Sequence, residues 1–386
     1  MTVRTFTFTV SAPTVPSWYS VLGHKQWAAP VTNTIQSVLD PLATTTNIGA
    51  ASGPSGIIRA YTGALCDQSM KTVALMGNGG HDDYWGNEVY SVRLDVANPA
   101  WTRLRNATAN PKSGAPSLTY PQLADGSPCS DHTGDYCVGA NGKWFKCGLG
   151  STNFNGDVKD QYWWSFDPQA ATPDYTFLGS SYPVNGAGAI NSTVSYDAAR
   201  HRIVKSMGSV NNGIRFYSAD TGALVTTIPY YITESTLTSA VDDTNGILLV
   251  FSQYTNTAYW LNLASPGTVQ SFPITGTANA PADKTSKVWW HAASNAFITW
   301  DGAQGLKKLT PTVVGGAYTG IAWSSVSGGG GVTVPSNMIA ALGGGMYSKT
   351  SLIKNMGDGT AALVIVPRWS AMPNKDVWVM RLTGAV

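Results

Sequence analysis

Short apolar strands recur along this chain, each followed by a polar turn or loop and then by a run in which apolar and polar residues alternate. Two neighbouring runs with a tight turn between them make a hairpin, and six hairpins can be read. They are YTGALCDQSMKTVALMG (61–77), GDYCVGANGKWFKCG (134–148), VSYDAARHRIVKSMG (194–208), SAVDDTNGILLVFS (239–252), KVWWHAASNAFITWD (287–301) and SLIKNMGDGTAALVIVP (351–367). Their turns hold Asp, Asn and Gly, which tolerate the left-handed backbone angles of tight hairpins.

A third strand follows each hairpin, at 87–95, 160–168, 213–221, 257–265, 304–312 and 376–384. Five units have a fourth, at 100–104, 174–179, 224–228, 268–272 and 322–326. The sixth unit reaches Val386 without one, while SWYSVLG (17–23) looks like a fourth strand with no unit before it. Ring closure accounts for both, because it leaves neither sheet edge open. The expected fold is all-β, a six-bladed β-propeller with blades at about 57–104, 118–179, 192–228, 237–272, 287–326 and 348–386, closed by 17–23. Seven blades would follow if residues 1–50 held a divergent one. Residues 30–56 have no clear pattern and are read as the crossing to the first full blade. Residues 1–16 are read as an arm outside the single 17–386 domain, able to dock on a partner by strand addition.

Composition supports this reading. Hydrophobic residues make up 43% of the 386, enough for a large core. Glu occurs only at Glu88 and Glu234, while Gly (41) and Pro (21) are abundant, which is a strand-and-turn composition. The 14 Trp are expected between sheets and as exposed ligand platforms. Charged residues are 12% and the net charge is +2, with no Lys/Arg run, which argues against nucleic acid as a partner. No segment approaches the length of an uncharged membrane span, so no membrane insertion is expected. The N-terminal MTVRTFTFTVSAP alternates instead of forming a basic region and an apolar run, so no signal peptide is read. Cys66, Cys129, Cys137 and Cys147 lack zinc-site spacing, and neither metal nor cofactor is expected. Reduced, structural cysteines are expected, with one disulfide among the last three left open.

The first full unit joins the strand TVALMGNGG, Tyr84, the strand NEVYSVRLD and Trp101. With the diglycine Gly79-Gly80 it resembles a kelch repeat of the galactose-oxidase-like kind. It is similar in particular to bacterial and phage-encoded kelch-like proteins with a Gly-Gly-His, an Asp-Tyr and a Gly-Asn-Glu-Val-Tyr run. The resemblance covers about residues 57–105, and units three to six lack the diglycine at the corresponding place. It implies a propeller and says little about function, since propellers host many activities.

The stretch GNGGHDDYWGNEVY (77–90) then connects a second strand to a third. Gly79 and Gly80 permit positive φ and close packing; Asn87, Glu88, Tyr90 and Trp101 are read as structural. His81, Asp82, Asp83, Tyr84 and Trp85 are the candidate ligand-binding group, joined by Arg368 and Trp369. All would share the face that collects second-to-third loops and blade-to-blade loops, including 125–135, 281–287 and 327–337.

Enzyme readings are weaker. The five His (His24, His81, His132, His201 and His291) do not assemble a radical-copper site; His201 falls in a hairpin turn and His291 is expected to be packed. SADTGALV (218–225) is an imperfect Asp-box with Val225 in place of Trp, a structural motif. Glycoside hydrolysis needs a carboxylate pair at defined spacing, which linear sequence does not supply. The expectation is a non-enzymatic propeller of a phage virion, in a tail, fibre or capsid-decoration role. Its partners would be a host-surface carbohydrate or other virion proteins, with homo-oligomers possible. The alternatives are a carbohydrate-active glycosidase or lyase, and a cytoplasmic protein-interaction module.

Overall fold

A computed structural model describes residues 15–44, 53–58, 63–77, 84–109, 123, 125–128, 130, 135–147, 162–180, 193–206, 213–230, 232, 237–252, 255–281, 286–301, 305–326, 349–366 and 377–386. Among them the chain is all-β, with antiparallel meanders arranged in a propeller-like ring. The first meander is β2 (Leu65–Asp67), β3 (Thr72–Met76), β4 (Val89–Arg93) and β5 (Trp101–Arg105). The second is β6 (Cys137–Ala140), β7 (Lys143–Lys146), β8 (Tyr162–Phe166) and β9 (Tyr175–Ser180). The third is β10 (Thr193–Asp197), β11 (Arg202–Ser206), β12 (Ile214–Ser218) and β13 (Leu224–Ile228). Next come β14 (Leu237–Asp242), β15 (Ile247–Ser252), β16 (Thr257–Asn262) and β17 (Gln270–Thr275), then β18 (Trp289–His291), β19 (Ala296–Asp301), β20 (Gly305–Val314) and β21 (Ala317–Ser325). The last meander is β22 (Thr350–Ile353), β23 (Ala361–Ile365) and β24 (Trp378–Leu382). The first strands β2, β6, β10, β14 and β18 neighbour one another in sequence order, and β22 lies beside β2, so the first strands surround the axis.

Sheet count departs from the expected six. There are four four-stranded sheets and one of eight strands, ordered β14-β15-β16-β17-β21-β20-β19-β18, among the described residues. The cause is a parallel contact between two outermost strands, Ile274↔Ile321 and Thr275↔Ala322. β20 and β21 run 10 and 9 residues, and the middle of β21 meets the neighbouring edge.

The closing strand also differs from expectation. Residues 17–23 do not extend; Ser17–Ser20 form a one-turn helix, α1, begun at Pro16, whose carbonyl accepts from the Tyr19 and Ser20 amides. The free edge of β24 is met instead by β1 (Trp27–Ala28), with Trp27 opposite Met380 and Ala28 opposite Val379. Tyr19 is fully buried beneath α1 and donates to the Ala361 carbonyl (2.6 Å), fastening the N-terminal segment to the final meander. Further on, Asn33 pairs its side-chain amide with the backbone of Trp101 on the outer strand β5 (2.6 and 3.0 Å). That contact occupies part of an otherwise open edge.

Hydrophobic side chains fill the space between each pair of neighbouring meanders, giving six layers among the described residues. One includes Ala74, Trp144 and Trp164; others are centred on Trp163 with Tyr217, on Phe216 with Leu248, on Trp290 with Trp323, on Trp300 with Trp378, and on Trp101 with Val364. A repeated polar device spans two of them. Asp67, at the end of β2, accepts from the Ser69 and Met70 amides of its own turn and from Trp144 Nε1 of the next meander (3.0 Å). Asp242, at the end of β14, accepts from the Thr244 and Asn245 amides and from Tyr318 Oη (2.6 Å). Each carboxylate therefore fixes a hairpin and ties it to a neighbour. At the β6–β7 turn, Asn141 and Gly142 both have positive φ, as a two-residue hairpin loop of the Asn-Gly kind requires.

Candidate functional site

Gly79, Gly80, His81, Asp82, Asp83, Arg368 and Trp369 lie outside the described residues. Asn78 lies outside them as well, and of the described residues of the 77–90 stretch all but Trp85 are buried. Tyr84, one of the expected binding residues, is fully buried and donates its hydroxyl to Glu88. Trp85 is half-buried. Gly86 is squeezed between these partners, and a Cβ there would collide with Glu88 Oε2 and Tyr84 Cε1. Burial pushes the Glu88 carboxyl up to about 7, with the nearby Asp40 adding to it and the Tyr84 hydrogen bond opposing it.

Asn87 is the hub of the loop. Its Nδ2 shares two hydrogens among three acceptors, Thr108 Oγ1, Ser127 Oγ and the Pro128 carbonyl (2.8–2.9 Å), and its Oδ1 accepts from the Thr108 amide (2.9 Å) and Arg105 (3.1 Å). Tyr90 Oη accepts from the Asp40 amide (3.2 Å). Trp101 packs at 2% exposure in the layer that also holds Tyr84 and Tyr90. The described part of the run thus holds the β3–β4 connection against its surroundings.

The described residues enclose a cavity at the axis. A cavity of about 250 Å³ is lined by residues of all six first strands or their turns, among them Cys66, Val138, Ser195, Ser239, Trp289 and Lys354. It extends from the beginnings of the first strands, at Val194 and Lys287, to the hairpin turns, at Gln68, Lys71, Asp243 and Asn355. Close approach of two first strands shapes one wall: a Cβ at Gly139 would lie 2.6 Å from the Cys66 carbonyl oxygen.

The inner end of the cavity is a connected polar group. Lys287, 4% exposed, donates to Asp135 and to the Val194 carbonyl (3.1 Å), and its ammonium lies 5.1 Å from the centre of the Trp289 ring. Thr193 donates to the same Asp135 carboxylate. Ser239 Oγ then bonds both Thr193 Oγ1 (2.7 Å) and Ser195 Oγ (2.8 Å). Burial raises the Asp135 pKa, against the pull of the Lys287 ammonium. An ammonium has three donors, and those of Lys287, a residue that lines the cavity, engage two acceptors. At the other end Lys354 pairs with Asp243, both partly exposed, and Lys71 donates to the Gln68 carbonyl (2.6 Å).

A second cavity of about 160 Å³ adjoins the first, sharing Asp243, Trp290 and Lys354, and it reaches His291. His291 Nδ1 bonds Ser294 Oγ (2.7 Å), which accepts from the Val386 amide (2.9 Å). Burial lowers the His291 pKa to about 4, with His24 nearby adding to it. Cys66 and Cys147 are buried, and burial pushes both thiols up to about 12, which keeps them protonated and unreactive at neutral pH. Among the described residues no group of three or more His, Cys, Asp or Glu is placed to hold a metal ion, and no helix is long and apolar enough to cross a membrane.

None of the axial residues belonged to the expected binding group. Their signal in the sequence is positional: Asp135 and Lys287 close two of the blade-to-blade loops, 125–135 and 281–287, read as sharing one face.

No family model matches this chain, and no curated protein does. Solved structures similar in shape include a chain of a nidogen/laminin complex, 11% identical at a TM-score of 0.39, covering 70% of this chain and 86% of that one. A chain of a mitotic checkpoint complex is 12% identical at 0.41, covering all of both. An exo-β-1,3-galactanase from Phanerochaete chrysosporium, solved with β-1,3-galactotriose, is 13% identical at 0.39, covering 77% of this chain and 63% of that one.

Proposed function

We propose that this chain is a ligand-binding propeller with no catalytic role, whose axial cavity takes a sugar unit. The observation that carries the reading is the cavity lining: hydroxyls of Ser195 and Ser239, amides of Gln68 and Asn355, and the ring of Trp289 around one space. Such a mixture suits a hydroxylated ligand, because the polar groups match its hydroxyls and the ring packs on its C–H face. The volume of about 250 Å³ is below the roughly 300–1,000 Å³ of drug-sized sites, so a single residue of a glycan fits rather than a chain. The lining carboxylate Asp243 and the carboxylate of Asp135 behind Lys287 are engaged by Lys354 and Lys287, which favours binding over acid–base chemistry.

In this proposal the ring has six blades of kelch type. The eight-stranded sheet comprises two complete meanders, each with its own first strand at the axis, and six hydrophobic layers separate the meanders. The proposed setting is a phage virion that meets host-surface carbohydrate, as the resemblance over residues 57–105 suggests. The test is a glycan-array and cell-binding screen of the purified protein, with product analysis for every glycan bound. Binding that leaves the glycan intact is the expected result. A cleaved product overturns the non-enzymatic reading, and no binding overturns the sugar site.

A further inference from the structure

We infer that the axial cavity selects an acidic sugar, a hexuronate-type ligand with one carboxylate and several hydroxyls; this rests on the sugar-binding reading above. Charge is the reason. Three lysines line the cavity, Lys71, Lys287 and Lys354, against one lining aspartate, Asp243. Among the described lining residues the balance is therefore positive, with Asp135 pairing Lys287 from behind.

Position divides the work between the two ends. Ser195 and Ser239, with Lys287, lie where the first strands begin and suit hydroxyls. Lys71 and Lys354 come from the first-to-second turns of two meanders that are neighbours around the ring, those of β2 and β22. Gln68 ties these turns together, donating to the Leu352 carbonyl (2.6 Å) and accepting from the Lys354 amide (2.8 Å). The joined turns bring two amines to one rim of the cavity, where a carboxylate can be shared between them. Asp243 is the internal competitor: it holds Lys354 in the absence of ligand, and an incoming carboxylate must share or replace it. Because Asp243 and Lys354 are both partly exposed, that exchange costs little.

The test uses the full chain and calorimetric titration with glucuronate, glucose and acetate at low and high salt, with Trp fluorescence as a second readout. Glucuronate is expected to bind at least about tenfold tighter than glucose, and to weaken with salt because the rim amines are exposed. Lys71→Gln and Lys354→Gln should each weaken glucuronate about two- to fivefold and leave glucose unchanged. Asp243→Asn should tighten glucuronate, by about the same factor, since it frees Lys354. A purely structural role for the Lys354–Asp243 pair predicts no such gain. Equal affinity for glucuronate and glucose overturns the acidic preference and leaves the sugar site standing. Acetate matching glucuronate overturns the sugar component, and binding of none of the three overturns both.

Discussion

The 77–90 stretch and the axial cavity are opposites in how they are written into the chain. The stretch packs a His, two Asp, three aromatics and an Asn-Glu pair into fourteen residues. Its described part nevertheless turns these groups inward: Tyr84 onto Glu88, and Asn87 onto its loop partners. The cavity takes one or a few residues from each meander, separated by tens of residues, with no local cluster. Dense polar motifs in a propeller-like ring serve a loop that must satisfy its own backbone. The axis is where the repeats converge, so a site there is written once per repeat.

The sharpest way to break this comparison is at the buried Lys287–Asp135 pair. Lys287→Met leaves Asp135 buried with Thr193 as its remaining side-chain partner, and should destabilise the protein by about 3–5 kcal/mol. Adding Asp135→Leu should recover much of that loss, because the unpaired charge, not the missing attraction, dominates. Denaturant unfolding of the single and double variants measures it. A double variant as unstable as the single would assign the loss to packing.

Next comes the hub of the loop. Asn87→Ala removes up to four hydrogen bonds at once and leaves Ser127, Thr108 and the Pro128 carbonyl short of a partner, at a cost of about 3 kcal/mol. Ligand affinity in the surviving folded fraction should not change. A loss of binding at unaltered stability would return the loop to the binding machinery.

The strands were legible and the site was not, for separable reasons. Alternation and Asn/Asp/Gly turns located the hairpins to within a few residues, as at 239–252 against β14 and β15. The SWYSVLG segment reads as a strand because a short apolar pattern suits one turn of helix equally well, and Pro16 decides for the turn. The β17–β21 contact depends on the length of a hairpin and on the proximity of its neighbour, neither of which leaves a local pattern. Asp67 and Asp242 stand at matching positions in two of the hairpins, a repeat that sequence reading could have used. The Lys287–Asp135 pair spans 152 positions and has no local signature at all.

The smallest effect, and the most discriminating, is on pH dependence, where the two regions carry opposite signs. Glu88 has a folded pKa of about 7 against an ordinary 4.5, so the folded state holds its proton more tightly. Its contribution is complete below pH about 4.5 and is lost as pH rises through about 7, worth up to about 3 kcal/mol. His291, beside the axial cavity, has a folded pKa of about 4 against 6.5, so the unfolded state binds the extra proton. Its contribution is present above pH about 6.5 and is lost as pH falls through about 4, of similar or smaller size. Over the shared window the two slopes oppose, and the melting temperature of the native chain should vary less than that of either variant. Glu88→Gln should leave a stability that climbs from pH 4 to 6.5, and His291→Gln one that declines from pH 4.5 to 7. Melting curves across pH 4–8 decide it. Parallel profiles for the three proteins would mean that neither the protonated Glu88 nor the neutral His291 stays buried in the folded state, and would remove the loop's claim to be a closed structural unit.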